Sequence, residues 1–142
     1  MNKLVVVSGY FDPIHVGHLE LIEKASKYGK VVVIVNNDDQ AIIKKGKSFM
    51  PCNERLKIVR SLKNVHFAVK SIDEDRTVKK TLLCLQPDIF ANGGDRIQDL
   101  RNIPEAKVCE ENNIEMIDGL GDKIQSSSWL ISLGNSISQI TP

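Results

Sequence analysis

Residues 8–21 read Ser-Gly-Tyr-Phe-Asp-Pro-Ile-His-Val-Gly-His-Leu-Glu-Leu and set two imidazoles, His15 and His18, three positions apart. With no acidic side chain inside the His-x-Gly-His window, the pair suits donation to oxyanions better than a hydrolytic centre. The preceding run 3–7 is continuously apolar and β-branched after its lysine, as a buried parallel strand is. Leu19, Leu21, Ile22 and Ala25 then take helical spacing, which predicts a helix from near Val16 to near Gly29. Both histidines therefore fall where a strand gives way to a helix N-terminus, whose unpaired N–H groups and partial positive charge receive anions. Gly17 keeps the backbone there uncovered. A lone His-x-x-His is more often a packing accident or half of a metal site, but the Gly-Tyr-Phe-Asp-Pro lead-in and the strand–turn–helix context favour phosphate binding. Zinc would need further ligands at familiar spacing, and His66 with the scattered Cys52, Cys84 and Cys109 does not supply them.

The 142 residues, 42% apolar and 26% charged, predict one soluble domain (1–142) with a real core. A formal net charge of +1 gives no electrostatic case for nucleic acid or a membrane as partner, because no basic stripe is interleaved with aromatics. Three widely spaced cysteines fit free thiols in a reducing compartment, each expected as a small buried hydrophobe. The chain enters a strand with no charged-then-apolar leader, and its longest apolar run falls short of a membrane span, so a cytoplasmic location is expected.

The elements that must position the histidines follow by the same reading. A second buried strand is predicted at 31–35, ending in a turn at 36–39, followed by a basic, loop-like stretch over 40–51. Asn53 can cap a helix running to about Leu62, with Leu56, Ile58, Val59 and Leu62 on its apolar face. A third strand is expected at 65–69, a helix from Asp73 or Thr77 through Leu85, and a fourth short strand at 88–91 after Pro87. A helix over 105–112, a strand at 114–117 and a last helix over 126–137 complete the alternation. Such alternation implies an α/β fold with a five-stranded parallel sheet and right-handed crossovers covering both faces. Ligands bind such sheets beyond the carboxyl ends of the strands, where residues 8–18, 36–47, 92–96 and 119–128 are expected to gather. Neither a Gly-x-Gly-x-x-Gly nor a Walker-type loop is present, which argues against hydride transfer and ordinary P-loop ATPase chemistry.

Gly9, Phe11, Asp12, His15, Gly17 and His18 fill, position for position, a Gly-x-Phe-Asp-x-x-His-x-Gly-His pattern that resembles the signature of the cytidylyltransferase-like nucleotidyltransferases. The resemblance implies a single-domain Rossmann-like fold that joins a nucleoside monophosphate to a small phosphorylated acceptor and releases pyrophosphate. It implies that His15 and His18 bind the α- and β-phosphates, with Lys47 and Arg55 orienting acceptor and triphosphate, and with magnesium carried by the nucleoside triphosphate. Ser8, Gly9, Tyr10, Phe11 and Gly17 would line the nucleotide, as would Asn92, Gly94 and Asp95, whose Asn-Gly-Gly-Asp wording is similar to the Lys-Gly-Gly-Asp of heptose-phosphate adenylyltransferases. Ser126, Ser127 and Ser128 resemble the serine element that holds the leaving phosphates. Lys44 and Asp12 are implied on the acceptor side, Asp12 being read as either a turn cap or a neighbour of the metal, with capping favoured. The Lys-Gly-Lys-Ser of residues 45–48 also looks like the Lys-Gly-Asp-Ser of the heptose-phosphate enzymes.

Two departures bear on the substrate. Residues 119–125 lack the Arg-Thr-x-Gly usual in glycerol-3-phosphate cytidylyltransferases, Lys123 being the candidate stand-in, and Tyr10 replaces a common threonine. The short chain makes CTP with glycerol 3-phosphate the favoured pair, with ATP and a sugar 1-phosphate close behind on the lysine-loop and Gly-Gly-Asp wording; archaeal flavin adenylyltransferases also lack the arginine, which adds FMN as an acceptor for ATP. A nucleotide-binding sensor without catalysis is the reading from another class, and a small metal-binding protein using His15, His18 and Asp12 is a third. Homodimers are common among the resembling enzymes.

Overall fold

The computed structural model describes residues 3–93 and 104–117. In chain order the elements are β1 (Leu4–Gly9), α1 (Val16–Ala25), β2 (Lys30–Val35), α2 (Asp38–Lys45), α3 (Cys52–Arg60), β3 (Val65–Lys70), α4 (Lys79–Leu85), β4 (Ile89–Ala91), α5 (Ala106–Glu111) and β5 (Glu115–Ile117). The five strands form one parallel sheet in the order β3-β2-β1-β4-β5. The fold is Rossmann-like, as the alternation of elements predicts.

Side-chain alternation along β1 divides the core. Val5 and Val7 pack with Leu21, Ile22, Leu56 and Val59 of α1 and α3, whereas Val6 packs with Leu82, Cys109 and Ile114 around α4 and α5. Because both faces are covered, Val31 to Val35 of β2 are all buried, which is why that strand reads as an unbroken apolar run. From β1 the chain steps outward to β2 and β3 and then crosses back to put β4 on the other side of β1. Strand order thus reverses beside β1, and the histidine turn leaves the carboxyl end of that strand.

Several expectations are corrected. Residues 38–45 form a helix rather than a loop, because Asn37 accepts from the Gln40 amide at 2.8 Å while Gln40 Oε1 accepts from the Asn37 amide at 2.9 Å. Asn53 does not cap α3. That role falls to Asp38, whose carboxylate accepts from the Cys52 amide at 3.0 and 3.2 Å from fourteen residues upstream. Asp73 and Thr77 lie ahead of α4, and Asp73 caps it from outside by accepting from the Lys80 and Thr81 amides at 2.8 and 3.0 Å. The first helix ends at Ala25, short of Gly29. Cys52 and Cys109 are buried as expected, but Cys84 is exposed. The expected helix over 126–137 lies outside the described residues. Among the described residues no helix is long and apolar enough to cross a membrane.

Candidate active site

The signature turn is built around a reciprocal cap. His15 is the N-cap of α1, and its Nδ1 accepts from the Gly17 amide at 3.1 Å, while the His15 amide donates to Nδ1 of His18 at 3.0 Å. Each ring therefore uses Nδ1 as an acceptor, which puts the ring proton of the neutral imidazole on Nε2. The rings lie 3.9 Å apart between centroids and are tilted by 30°, so the two imidazoles stand side by side at a helix N-terminus. The Phe11 ring supports His18 from behind at 4.6 Å. Burial, then the positive charges of His15 and Lys44, lower the pKa of His18 from 6.5 to about 4. His18 is therefore uncharged at neutral pH, a donor rather than a cation.

Two glycines are required by proximity. A Cβ on Gly17 would stand 2.9 Å from Cε1 of His15, and one on Gly9 would meet the Phe11 ring at 3.1 Å. Phe11 itself takes a left-handed backbone (φ 53°) that turns its ring, 1% exposed, under the histidines.

Asp12 fastens the turn to the lysine-bearing loop. Its carboxylate accepts from the amides of Phe49 and Met50, both at 2.7 Å, and pairs with Lys45 at 2.9 Å, and Lys45 also donates to the Asp12 main-chain oxygen at 2.9 Å. Burial alone would raise the Asp12 carboxyl, but Lys45 and the two amides hold it below the usual carboxylate range. The carboxylate is turned into the 48–50 loop, where it holds amides far along the chain rather than those of its own turn.

Arg55 departs furthest from expectation. Its side chain is fully buried, with Nε donating to Met50 O, Nη1 to Tyr10 O and Asn36 O, and Nη2 to Asp38 Oδ1, at 2.7–2.8 Å. Ser48 Oγ lies 3.5 Å from Nη2, so all three nitrogens are engaged by the protein. Asp38, which burial would raise, is held below its ordinary range by the Cys52 amide, Ser48 and Arg55. Arg55 and Asp38 thereby bind the ends of β1 and β2 to the loop before α3.

The remaining predicted residues divide by location. Lys44 lies in the last turn of α2 and carries its ammonium over the Tyr10 ring at 4.3 Å from the centroid, and Lys47 is exposed on the loop beyond. Ser8 and Gly9 end β1, where the Gly9 carbonyl accepts from the Asn36 amide at 2.9 Å. Asn92 follows β4, is 6% exposed, and has a buried Nδ2 with no hydrogen-bond partner among the described residues. Gly94, Asp95, Lys123, Ser126, Ser127 and Ser128 lie outside the described residues. Sequence reasoning missed Lys45 as the lysine that meets the signature turn, and Asp38 and Gln40 as the residues that build its neighbourhood. Only the Asn37-x-x-Gln40 spacing carried a readable signal.

What this arrangement can do is present N–H donors to an anion at a fixed helix end beside a loop rich in cations. A family model described as "Cytidylyltransferase-like" matches residues 6–128. The chain is 34% identical over 101 residues to the FAD synthase of Methanohalophilus mahii, covering 71% of this chain and 70% of that protein. It is 36% identical over 98 residues to the bifunctional protein HldE of Aliarcobacter butzleri, where the match covers 66% of this chain but only 20% of the relative. Among solved structures, the lipopolysaccharide core biosynthesis protein from Thermoplasma volcanium superposes with a TM-score of 0.69 at 27% identity, covering 83% of this chain and 96% of that one.

Proposed function

The chain belongs to the cytidylyltransferase-like family of nucleotidyltransferases, and from that premise we propose that it transfers the adenylyl group of ATP to a small phosphorylated acceptor with release of pyrophosphate. The observation that carries this reading is the mutual capping of His15 and His18 at the start of α1, in which each Nδ1 accepts from a main-chain amide and Nε2 is left as the ring donor.

In the proposed reaction an oxygen of the acceptor phosphate attacks the α-phosphorus in line, its bond to phosphorus forming as the bond to the bridging oxygen of pyrophosphate breaks. The acceptor is already ionised, so no protein nucleophile or base is required. Catalysis then rests on positioning and on donors aimed at charge that grows in the transition state. His15 and His18 supply those donors, Gly17 leaves room for them, and Lys44 and Lys47 add positive charge on the acceptor side. Asn92, Asp95 and the serines at 126–128 are proposed to hold nucleotide and leaving group, by resemblance. The described acids make no magnesium cage, Asp12 being bound to Lys45 and two amides. Magnesium is therefore proposed to enter on the triphosphate, where it neutralises phosphate charge.

ATP is preferred to CTP on the relatives. FAD is an adenylylated flavin phosphate, and an FAD synthase stands among the proteins most similar to this chain. The case for CTP with glycerol 3-phosphate rests on chain length alone. Pyrophosphate release measured with ATP, CTP, GTP and UTP against FMN, sugar 1-phosphates and glycerol 3-phosphate decides between them. Turnover with ATP and one acceptor is the expected result. Turnover with CTP alone would restore the cytidylyl reading, and tight nucleotide binding without product in any combination would support a sensor.

A further inference from the structure

The connection between β3 and α4 is bound to the start of α2 by two side-chain amides. Asn37 Nδ2 donates to the carbonyls of Ser71 and Asp73 at 3.1 and 2.9 Å, and Gln40 Nε2 to those of Asp75 and Thr77 at 2.6 and 2.8 Å. Alternate carbonyls of an irregular segment are thus taken up one after another, much as a neighbouring strand would take them. Gln40 is 0% exposed, and its Oε1 accepts from Asn36 Nδ2 at 3.1 Å and from the Asn37 amide at 2.9 Å. With two donations and two acceptances its bonding capacity is filled. One buried side chain therefore joins the residue that follows β2, the cap of α2 and the connection.

The other end of α2 connects this joint to the site. Gln40 and Ala41 are the buried residues of the helix, and Lys44 and Lys45 follow them by four positions, one turn farther along the same face. Lys45 Nζ meets the Asp12 carboxylate at 2.9 Å, and Lys44 Nζ lies 4.3 Å from the centroid of the Tyr10 ring. The face that begins on the connection thus ends on the signature turn. A helix of eight residues is a lever of about 12 Å, and a tilt allowed at its first turn displaces both lysines at its last.

We propose that Gln40, with Asn37, is a positioning residue for nucleotidyl transfer, seating α2 on the β3–α4 connection so that Lys44 and Lys45 are held against the signature turn. The inference rests on the nucleotidyltransferase reading and deepens it, because it gives the site a support that touches no substrate and lies outside the histidine signature. The hydrogen bonds that do this run between side-chain amides and main-chain carbonyls 34 to 37 residues away.

The test uses the full chain and cuts the tie while sparing the cap. Gln40→Glu keeps an acceptor for Asn36 and Asn37 but sets an oxygen against the carbonyls of Asp75 and Thr77, and Asn37→Asp makes the milder cut at Ser71 and Asp73. Thr81→Val is the control, since it removes a buried hydroxyl bonded to Ser71, Ile72 and Asp73 and so loosens the connection without touching α2. Calorimetric titration with α,β-methylene-ATP and magnesium, well below each melting temperature, is expected to show binding about fivefold or more weaker in both cut variants and within about twofold of wild type in the control. A second arm needs no ligand: Lys45→Met should shift the urea unfolding equilibrium about threefold or more in the wild-type background and by at most half that factor beside Asn37→Asp or Gln40→Glu. Unchanged analogue affinity in the cut variants, an equal loss in Thr81→Val, or the same cost of Lys45→Met in every background would each overturn the assignment. A wild type that binds no analogue would break the nucleotidyltransferase reading instead, and the unfolding arm would then decide alone whether α2 is seated from the connection.

Discussion

Arg55 and Asp38 close an ion pair at 2.8 Å in which the guanidinium is fully buried while the carboxylate side chain remains 46% exposed. The cation is thus part of the frame. Replacing it with methionine leaves the carbonyls of Tyr10, Asn36 and Met50 without their donor and is expected to cost about 3 kcal/mol of stability. Urea unfolding measures this. An unchanged midpoint together with a raised KM for the triphosphate would return Arg55 to the phosphate-binding role implied by resemblance.

His18→Gln separates capping from chemistry. Glutamine at this position of a helix can still accept from the His15 amide, so the melting temperature should change little. The aimed imidazole N–H is lost, and kcat should fall about a hundredfold or more. A variant that releases pyrophosphate at the wild-type rate would remove His18 from the mechanism.

Acid should destabilise the protein from about pH 6.5 downward, as His18 of the unfolded chain takes up its proton. His18 has a pKa near 4 when folded against 6.5 as a free side chain, so between those values the unfolded chain binds more protons and stability falls as pH falls. Asp12 and Asp38, whose folded values lie below 3.8, extend the loss to lower pH, because the native contacts favour their ionised forms. Melting temperatures from pH 7 to 4 should decline in wild type and decline less in His18→Gln. Parallel curves would contradict the neutral, buried state of the imidazole.

Gly17→Ala should uncouple stability from rate. Alanine favours a helix by up to about 1 kcal/mol, yet its Cβ meets the His15 ring at 2.9 Å and must push it aside. The expected outcome is an unchanged or slightly raised melting temperature with turnover about tenfold or more lower. Full activity would mean that the orientation of His15 is not critical.

How far the sequence alone reaches is clear from particular elements. β1 and β2 are buried on both faces, and continuous valine runs announce that condition directly. Helix α2 hides because Ile42 and Ile43 are 53% and 54% exposed, leaving Ala41 and Gln40 as its buried residues and no apolar stripe to detect. The histidine turn is legible since its cap is local, closed within four residues. Arg55 is not, because its partners lie 5, 17, 19 and 45 residues away and nothing in local spacing distinguishes a buried arginine from one that faces substrate. Lys45 was passed over for its neighbours because only the fold decides which of three nearby lysines reaches Asp12.

The stretch between α2 and α3 belongs to no strand or helix, yet its amides at Phe49 and Met50, and that of Cys52 opening α3, all end on carboxylates of Asp12 and Asp38. Amides so held exchange with solvent only when the bond opens. Hydrogen–deuterium exchange across residues 49–52 should therefore proceed at the pace of the neighbouring helices rather than of a surface loop. Lys47, the lysine of this stretch, is thus carried on a main chain pinned through three amides to two carboxylates.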